Sequence, residues 1–524
     1  MAKNNIWLRA FLRVQSILPR RLQAGCAHFF STVMLTYVLL VAHVHAVKDQ
    51  VRSLWRESEG SVIKLVFLVS LYSSLWLYRL LLIPFYLLNR FQVWPTMRVS
   101  DYVERYGYGC EDHIVTTADG YHLLLHHLFA KDELGRRRNA SKPFPVLLQH
   151  GLLQSAGVFV TSGRRSMAFW FLDRGYDVWL GNNRGVPCDP TTSRLQWNGR
   201  GHESLSTDDD AFWEWTLDDL GRYDFPALIH FVLEQTGKRQ LHYIGHSQGN
   251  AQAFIGLTLH PHLHDHVKSF TALAPAASIG SLIQRWPIRE IIHMSVPGQR
   301  ETFLAVFAQK GFLPLMHWLH RHLPMEVFTE LAHSMFAFLF DWTDRNWDVT
   351  RKVHYYRFTP RPTSSRAILH WTDIAKRGLL SPFTPCKLVK APQKFMSIAG
   401  SPVVSPQGRV IFDVTSGEPS PVNSDEALLN VYVADTAGLD REYDLSVLHR
   451  VPLLLVWGSK DYLIDPEKML TAFDGYGHRG RKMNIHMQEG VEGYEHLDFL
   501  WSTDADFRVW SKVHMVFEKL EQQR

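Results

Sequence analysis

Gly245-His246-Ser247-Gln248-Gly249 stands between a β-rich run, residues 240–244, and a helical pattern, residues 251–260. A G-x-S-x-G sequence in that setting constrains the fold more than any other feature of the chain. Small residues on either side let a strained strand-to-helix turn lift a serine hydroxyl above the end of a sheet. An ordinary glycine-rich strand end is the alternative, and the strand before and helix after argue against it.

Other short β-rich runs fall at residues 146–149, 177–180, 269–273 and 452–457, with a last strand expected at 483–487. Residues 113–125 read as a hairpin around Ala118-Asp119-Gly120, an Asp-Gly turn between alternating residues. Helical patterns occupy residues 217–236 and 505–520. Apolar runs buried on both faces and separated by helices predict a mainly parallel, doubly wound sheet.

About 175 residues separate the strand near Phe270 from the one at Leu453, far more than a crossover needs. An inserted subdomain follows. Its later part, residues 392–424, carries Pro392, Pro402, Pro406, Pro419 and Pro421 among Ser and Gly and reads as a mobile loop. The expected organisation is a membrane-anchoring region at 1–95, a first core part at 96–280, an inserted cap or lid at 281–444 and a second core part at 445–524. Phe303, Phe307, Phe312, Met335, Phe336, Phe338 and Phe340 are candidates to line an acyl channel beneath that cap.

A serine hydroxyl needs a histidine base held by a carboxylate. In this kind of sheet the chain order is Ser, acid, His, which selects Ser247, Asp461 and His496. Asp461 follows the strand at 452–457 after Gly458-Ser459-Lys460; His496 follows the last strand. Asp465, before Pro466, reads as a helix cap, and Asp498 is too near His496 in sequence to orient it across a site. The oxyanion of a tetrahedral intermediate needs two backbone donors. The N–H of Gln248, after the nucleophile, and of Leu152, in His150-Gly151-Leu152-Leu153, are the expected pair. Together these features predict an α/β-hydrolase fold.

The basic leader, with Lys3, Arg9, Arg13, Arg20 and Arg21, precedes two apolar stretches, residues 27–47 and 65–88. Each has about the 20 residues that cross a bilayer. The second contains Arg79 and Pro84, so it is expected to bend or lie shallow. Positive-inside flanking explains the leader better than nucleic acid, since no basic stripe with interleaved aromatics recurs. A membrane hairpin with a cytosolic catalytic domain is the resulting expectation, on the endoplasmic reticulum or a lipid droplet, with the plasma membrane as alternative. A cleaved signal peptide is the rival for the first stretch. The four cysteines, Cys26, Cys110, Cys188 and Cys386, form no CxxC pair, which argues against a disulfide framework or zinc site. His260, His262, His264 and His266, and likewise His317, His320 and His322, lack the acidic neighbours of a metal shell. Neither metal nor cofactor is expected.

The chain resembles the acid lipase family, which includes gastric and lysosomal acid lipases. The resemblance rests on residues 113–121 (HIVTTADGY), 148–153 (LQHGLL), 176–185 (YDVWLGNNRG), the elbow, and 495–499 (EHLDF). The N-terminal apolar segments look most like the fungal membrane-anchored steryl ester hydrolases. The resemblance implies hydrolysis of neutral-lipid esters, steryl esters or triacylglycerols, through an acyl-enzyme on Ser247. It assigns nucleophile, acid, base and oxyanion donors to the residues named above. Gly458-Ser459-Lys460-Asp461 departs from the family's Gly-Gly-x-Asp, and Val186-Pro187-Cys188 replaces polar residues. An acyltransferase using the same triad and a non-catalytic scaffold are the competing readings.

Overall fold

A computed structural model describes residues 20–57, 98–186, 210–294, 300, 303–304, 314–383, 403–404, 410–411, 442–478 and 480–523. Eight strands form one sheet: β1 (Gly109–Thr116), β2 (His122–Phe129), β3 (Val146–Gln149), β4 (Val178–Gly181), β5 (Leu241–His246), β6 (Val267–Leu273), β7 (Leu453–Gly458) and β8 (Ile485–Val491), in spatial order β1-β2-β4-β3-β5-β6-β7-β8. The first two pairings are antiparallel and the remainder parallel.

The pleat explains the continuous apolar runs. Leu147, opposite Trp179 and Tyr243 in the register, faces one core layer; Leu148, opposite Leu180 and Ile244, faces the other. Helix α1 is Arg20–Glu57, α2 Phe225–Thr236, α3 Gln248–Leu259, α4 Pro314–His322, α5 Met325–Phe340, α6 Ser365–Arg377 and α7 Ser511–Gln522. Ile229 and Val232 of α2 and Phe254 of α3 cover the Leu147 face; Val513 and Phe517 of α7 cover the other. The outer strand β8 alternates half-buried and exposed residues over most of its length, as an edge with one covered face requires.

Helices α4, α5 and α6 belong to the long insertion between β6 and β7. Ser364 caps α6 by accepting from the N–H groups of Arg366 and Ala367, and Gly378 ends it at φ 97°.

The expectation for residues 27–47 is corrected. They lie within α1, whose Leu35, Val38 and Ala42 are buried, with α1 packed on α5 and α4. Among the described residues no helix is long and apolar enough to cross a membrane. The physical reason is amphipathicity: one stripe, with Leu35, Val38 and Ala42, is committed to protein packing, and His43 and His45 lower the apolarity of the helix. The second stretch, 65–88, lies outside the described residues. So does the Pro-rich stretch 392–424, apart from the paired strands Val403–Val404 and Val410–Ile411.

Candidate active site

The strand β5 delivers Ser247 at its C-terminal end, where the backbone turns at φ 53°, ψ −116° into α3. Left-handed φ at a non-glycine residue is strained and persists only where the surroundings enforce it. Here the flanking glycines permit the turn. A Cβ at Gly249 would stand 2.5 Å from the Gln149 carbonyl oxygen, and one at Gly245 2.4 Å from Asn250 Oδ1. The elbow can therefore press against β3 and α3 only without side chains at these two positions.

His496 lies in the loop after β8 and Asp461 in the turn after β7. His496 Nε2 is 2.8 Å from Ser247 Oγ, and His496 Nδ1 is 2.7 Å from Asp461 Oδ2. All three side chains are buried. Asp461 Oδ1 also accepts from the Leu463 N–H at 3.1 Å, which fixes the carboxylate plane. Asp465 does something different: its Oδ1 accepts from the Lys468 N–H at 2.9 Å at the start of the helix Pro466–His478. Asp498 turns away from the imidazole and accepts from the Glu495 N–H, Asn346 Nδ2 and Trp347 Nε1.

Leu152 and Gln248 flank the serine from two elements, the loop after β3 and the first turn of α3. Among the described residues neither amide N–H donates to another protein group. Two buried imidazoles brace these elements. His150 donates from Nδ1 to the Gly151 carbonyl and accepts at Nε2 from the Asn183 N–H, which fixes one neutral tautomer. Burial pushes its pKa down to about 4. His246 donates from Nε2 to the His496 carbonyl at 2.9 Å; burial, with His496 adding to it, pushes its pKa down to about 3. Both therefore stay neutral, and His246 holds the backbone of His496.

The sequence motif at 181–185 braces the same loop. Gln149 donates to Asn183, Asn182 accepts from the Ala156 N–H, and Arg184 is buried between Asp119 and Asp224. Burial raises the Asp224 carboxyl to about 6 even against the pull of Arg184.

Sequence reasoning missed the insertion's contribution. Trp342 stacks on the His496 ring at 5.2 Å with planes 4° apart, and Thr343 donates from N and Oγ1 to Glu495. Leu153, itself at φ 58°, accepts from Arg361 N and Thr359 Oγ1. Trp371 of α6 donates from Nε1 to Gln248 Oε1 at 3.0 Å. An apolar cluster of Phe303, Leu304, Ile368 and Leu369 packs with Leu152, Ile291 and Phe383.

The aromatic candidates for a lining separate. Phe336 is buried, edge-on to Trp342 and stacked on Tyr356, whereas Phe338 meets His45 of α1 and Trp286. Phe307 and Phe312 lie outside the described residues. In the histidine run, His260, His264 and His266 each spend a ring nitrogen on a backbone carbonyl, and His262 stacks on His230. His317 and His320 of α4 are held below their usual pKa by burial.

The family model described as the alpha/beta hydrolase fold matches residues 145–503, and one described as a partial alpha/beta-hydrolase lipase region matches residues 99–163. Lysosomal acid lipase/cholesteryl ester hydrolase of Homo sapiens is 29% identical over 435 residues, 81% of this chain and 92% of its own length. Sterol esterase 2 of Saccharomyces cerevisiae is 30% identical over 417 residues, covering 78% of this chain and 69% of its own. Gastric triacylglycerol lipase of Homo sapiens is 30% identical over 430 residues, 80% and 90% respectively.

Proposed function

The chain belongs to the acid lipase family of the α/β-hydrolase fold, a carboxylic ester hydrolase acting on lipid esters, and from that premise we propose that it cleaves steryl esters or triacylglycerols through an acyl-enzyme on Ser247. One observation carries this reading: Ser247 Oγ, His496 and Asp461 form a continuous hydrogen-bonded line in the fold's Ser-acid-His order.

His496 takes the serine proton at Nε2 as Oγ attacks the ester carbonyl. The oxyanion is received by the Leu152 and Gln248 N–H groups, whose donors are preorganised rather than recruited. Asp461 keeps the Nδ1–H tautomer and stabilises the imidazolium. His496 then protonates the departing alcohol, and water repeats the sequence to free the acid. The cluster of Phe303, Leu304, Ile368 and Leu369 around Leu152 offers apolar contact for an acyl chain beside the oxyanion donors.

Residues 281–444 act in this reading as a cap, since Trp342, Trp371 and Thr359 from the insertion all touch the catalytic loops. The protein works at a lipid surface, of endoplasmic reticulum or lipid droplet, with its catalytic part on the cytosolic side. Support comes from α1, whose Val33, Tyr37, Leu40, Val44 and Val47 are exposed along one helical stripe. A helix of that kind lies in an interface rather than across it.

The test is turnover of cholesteryl oleate and triolein in detergent micelles by wild-type protein and Ser247→Ala. Loss of about 10⁴-fold or more on the preferred ester, with circular dichroism unchanged, is expected. Accumulation of a transacylated product in place of free acid when an alcohol is added at low concentration would favour the acyltransferase.

A further inference from the structure

The β1–β2 hairpin at the far edge of the sheet carries two clusters of metal-ligating side chains, one on each face. Both arise from the pleat. Cys110 and Asp112 are two apart on β1, and Asp112 pairs directly with His126 of β2. Glu111 and His113 occupy the opposite face, where Glu111 pairs with His127. Within each set the ligand atoms lie within 4.8 Å of one another.

The two faces differ in charge. On the Glu111 face a cation is already present: Arg137 donates to Glu111 at 3.2 Å and reaches His127 Nε2 at 3.1 Å. His127 is also 2.7 Å from Asp177 and stacks on Trp179 at 3.8 Å. That set is filled. On the other face Cys110 Sγ lies 3.6 Å and His126 Nδ1 2.6 Å from the same oxygen, Asp112 Oδ1. Among the described residues no Lys or Arg forms an ion pair with this group; the nearby Arg98, which pairs with Asp101, acts on Asp112 through its charge alone. His126 is buried, Cys110 is partly buried, and the Asp112 side chain is 46% exposed, which leaves one open side.

We propose that Cys110, Asp112 and His126 bind one borderline divalent transition-metal cation of the Zn²⁺ class, with water in the fourth position. Thiolate, imidazole and carboxylate are the donor set such ions select, at about 2.3, 2.0 and 2.0–2.2 Å. Those bond lengths place tetrahedral ligands about 3.3–3.6 Å apart, so the Asp112–His126 contact opens by under about 1 Å while the Cys110–Asp112 spacing stays as it is. The cation replaces the protons that now bridge the three groups. The thiol proton leaves to solvent, the imidazole proton moves from Nδ1 to Nε2, and no electron is transferred. Because the thiol must lose its proton to ligate, binding weakens as pH falls.

The site fastens the edge strand β1 to β2. It stands four strands from Ser247, about 19 Å at the usual strand spacing, so its effect is on stability and not on the chemical step.

Chelator-treated full-length protein titrated with Co²⁺ tests this directly. One equivalent should give the near-ultraviolet thiolate-to-cobalt charge-transfer band with tetrahedral visible bands, and Zn²⁺ should displace it and raise Tm. Cys110→Ser should abolish the band while leaving ester turnover unchanged. Asp112→Asn, which keeps the thiol and the local shape, should weaken binding on the order of tenfold or more. His113→Gln, on the filled face, should leave the titration as in wild type. A band that persists in Cys110→Ser, or that depends on His113 and not on Asp112, would overturn the assignment. So would the absence of any stoichiometric band in the wild type.

Discussion

The nucleophile elbow and the loop that carries the base meet at one hydrogen bond but are built by different means. Ser247 is positioned by its own neighbours: two glycines, the end of β5 and the first turn of α3. His496 is positioned from a distance. Trp342 covers its ring; Thr343 holds Glu495, and Asn346 and Trp347 hold Asp498, through hydrogen bonds spanning 151 and 152 residues of sequence. Ser247 thus depends mostly on local residues, whereas His496 draws on the insertion as well as on His246 and Asp461. Disturbing the Trp342–Trp347 part of the insertion should damage catalysis through His496 and leave the backbone turn at Ser247 standing.

The largest effect should come from the acid, which belongs to neither half. Asp461→Asn leaves the geometry but favours the wrong imidazole tautomer, and kcat should fall about 10⁴-fold. Asp465→Asn preserves a helix cap and should shift stability by under about 0.5 kcal/mol with activity intact. Steady-state kinetics beside thermal melts would separate the two.

Trp342→Ala comes next. It removes the ring stacked on His496, and a misplacement of about 1 Å costs on the order of 100-fold in turnover. Trp342→Phe should recover most of it. Equal damage by both variants would mean that the indole serves folding alone, and the contrast between elbow and base loop would weaken.

Ile368→Ser sharpens the comparison on the acyl side. Ile368 packs with Leu152 and is only 9% exposed. Hydrolysis of a long-chain ester should drop about tenfold, the discrimination that an apolar contact provides, with a four-carbon ester changed about twofold at most. Matched losses would assign the cluster to folding and not to substrate.

The smallest effect is electrostatic. Burial, opposed by Thr343, raises the Glu495 carboxyl from 4.5 to about 6. The folded chain therefore binds this proton more tightly than the unfolded chain does. The resulting stability is complete below about pH 4.5 and is lost as pH rises through about 6. Glu495→Gln should flatten that slope in a series of thermal melts.

Much of the core was legible in the sequence because its signals are local. Residues 146–149 form β3 as expected, and the strands at β4 to β7 fall within a few residues of the apolar runs. The last helix starts later than its pattern suggested, because residues 506–510 form a wider π-type turn first. Trp342, Thr343 and Trp371 carried no local mark, since their roles depend on long-range packing. Residues 27–47 misled because length and apolarity alone do not separate a spanning helix from an amphipathic one packed on α5. The Cys110 cluster had a signal that spacing rules for cysteine pairs pass over. Once the turn at Asp119-Gly120 sets the hairpin register, Asp112 must face His126.

The central claim, that Ser247 is the residue acylated and that His496 and Asp461 activate it, is tested most directly by active-site trapping. Purified protein is treated with a long-chain fluorophosphonate and the modified peptide is identified by mass spectrometry. The account predicts one label per chain, on Ser247, absent in Ser247→Ala and formed orders of magnitude more slowly in Asp461→Asn. Labelling at another residue, or Ser247→Ala protein that keeps more than about a tenth of wild-type ester turnover, would contradict it.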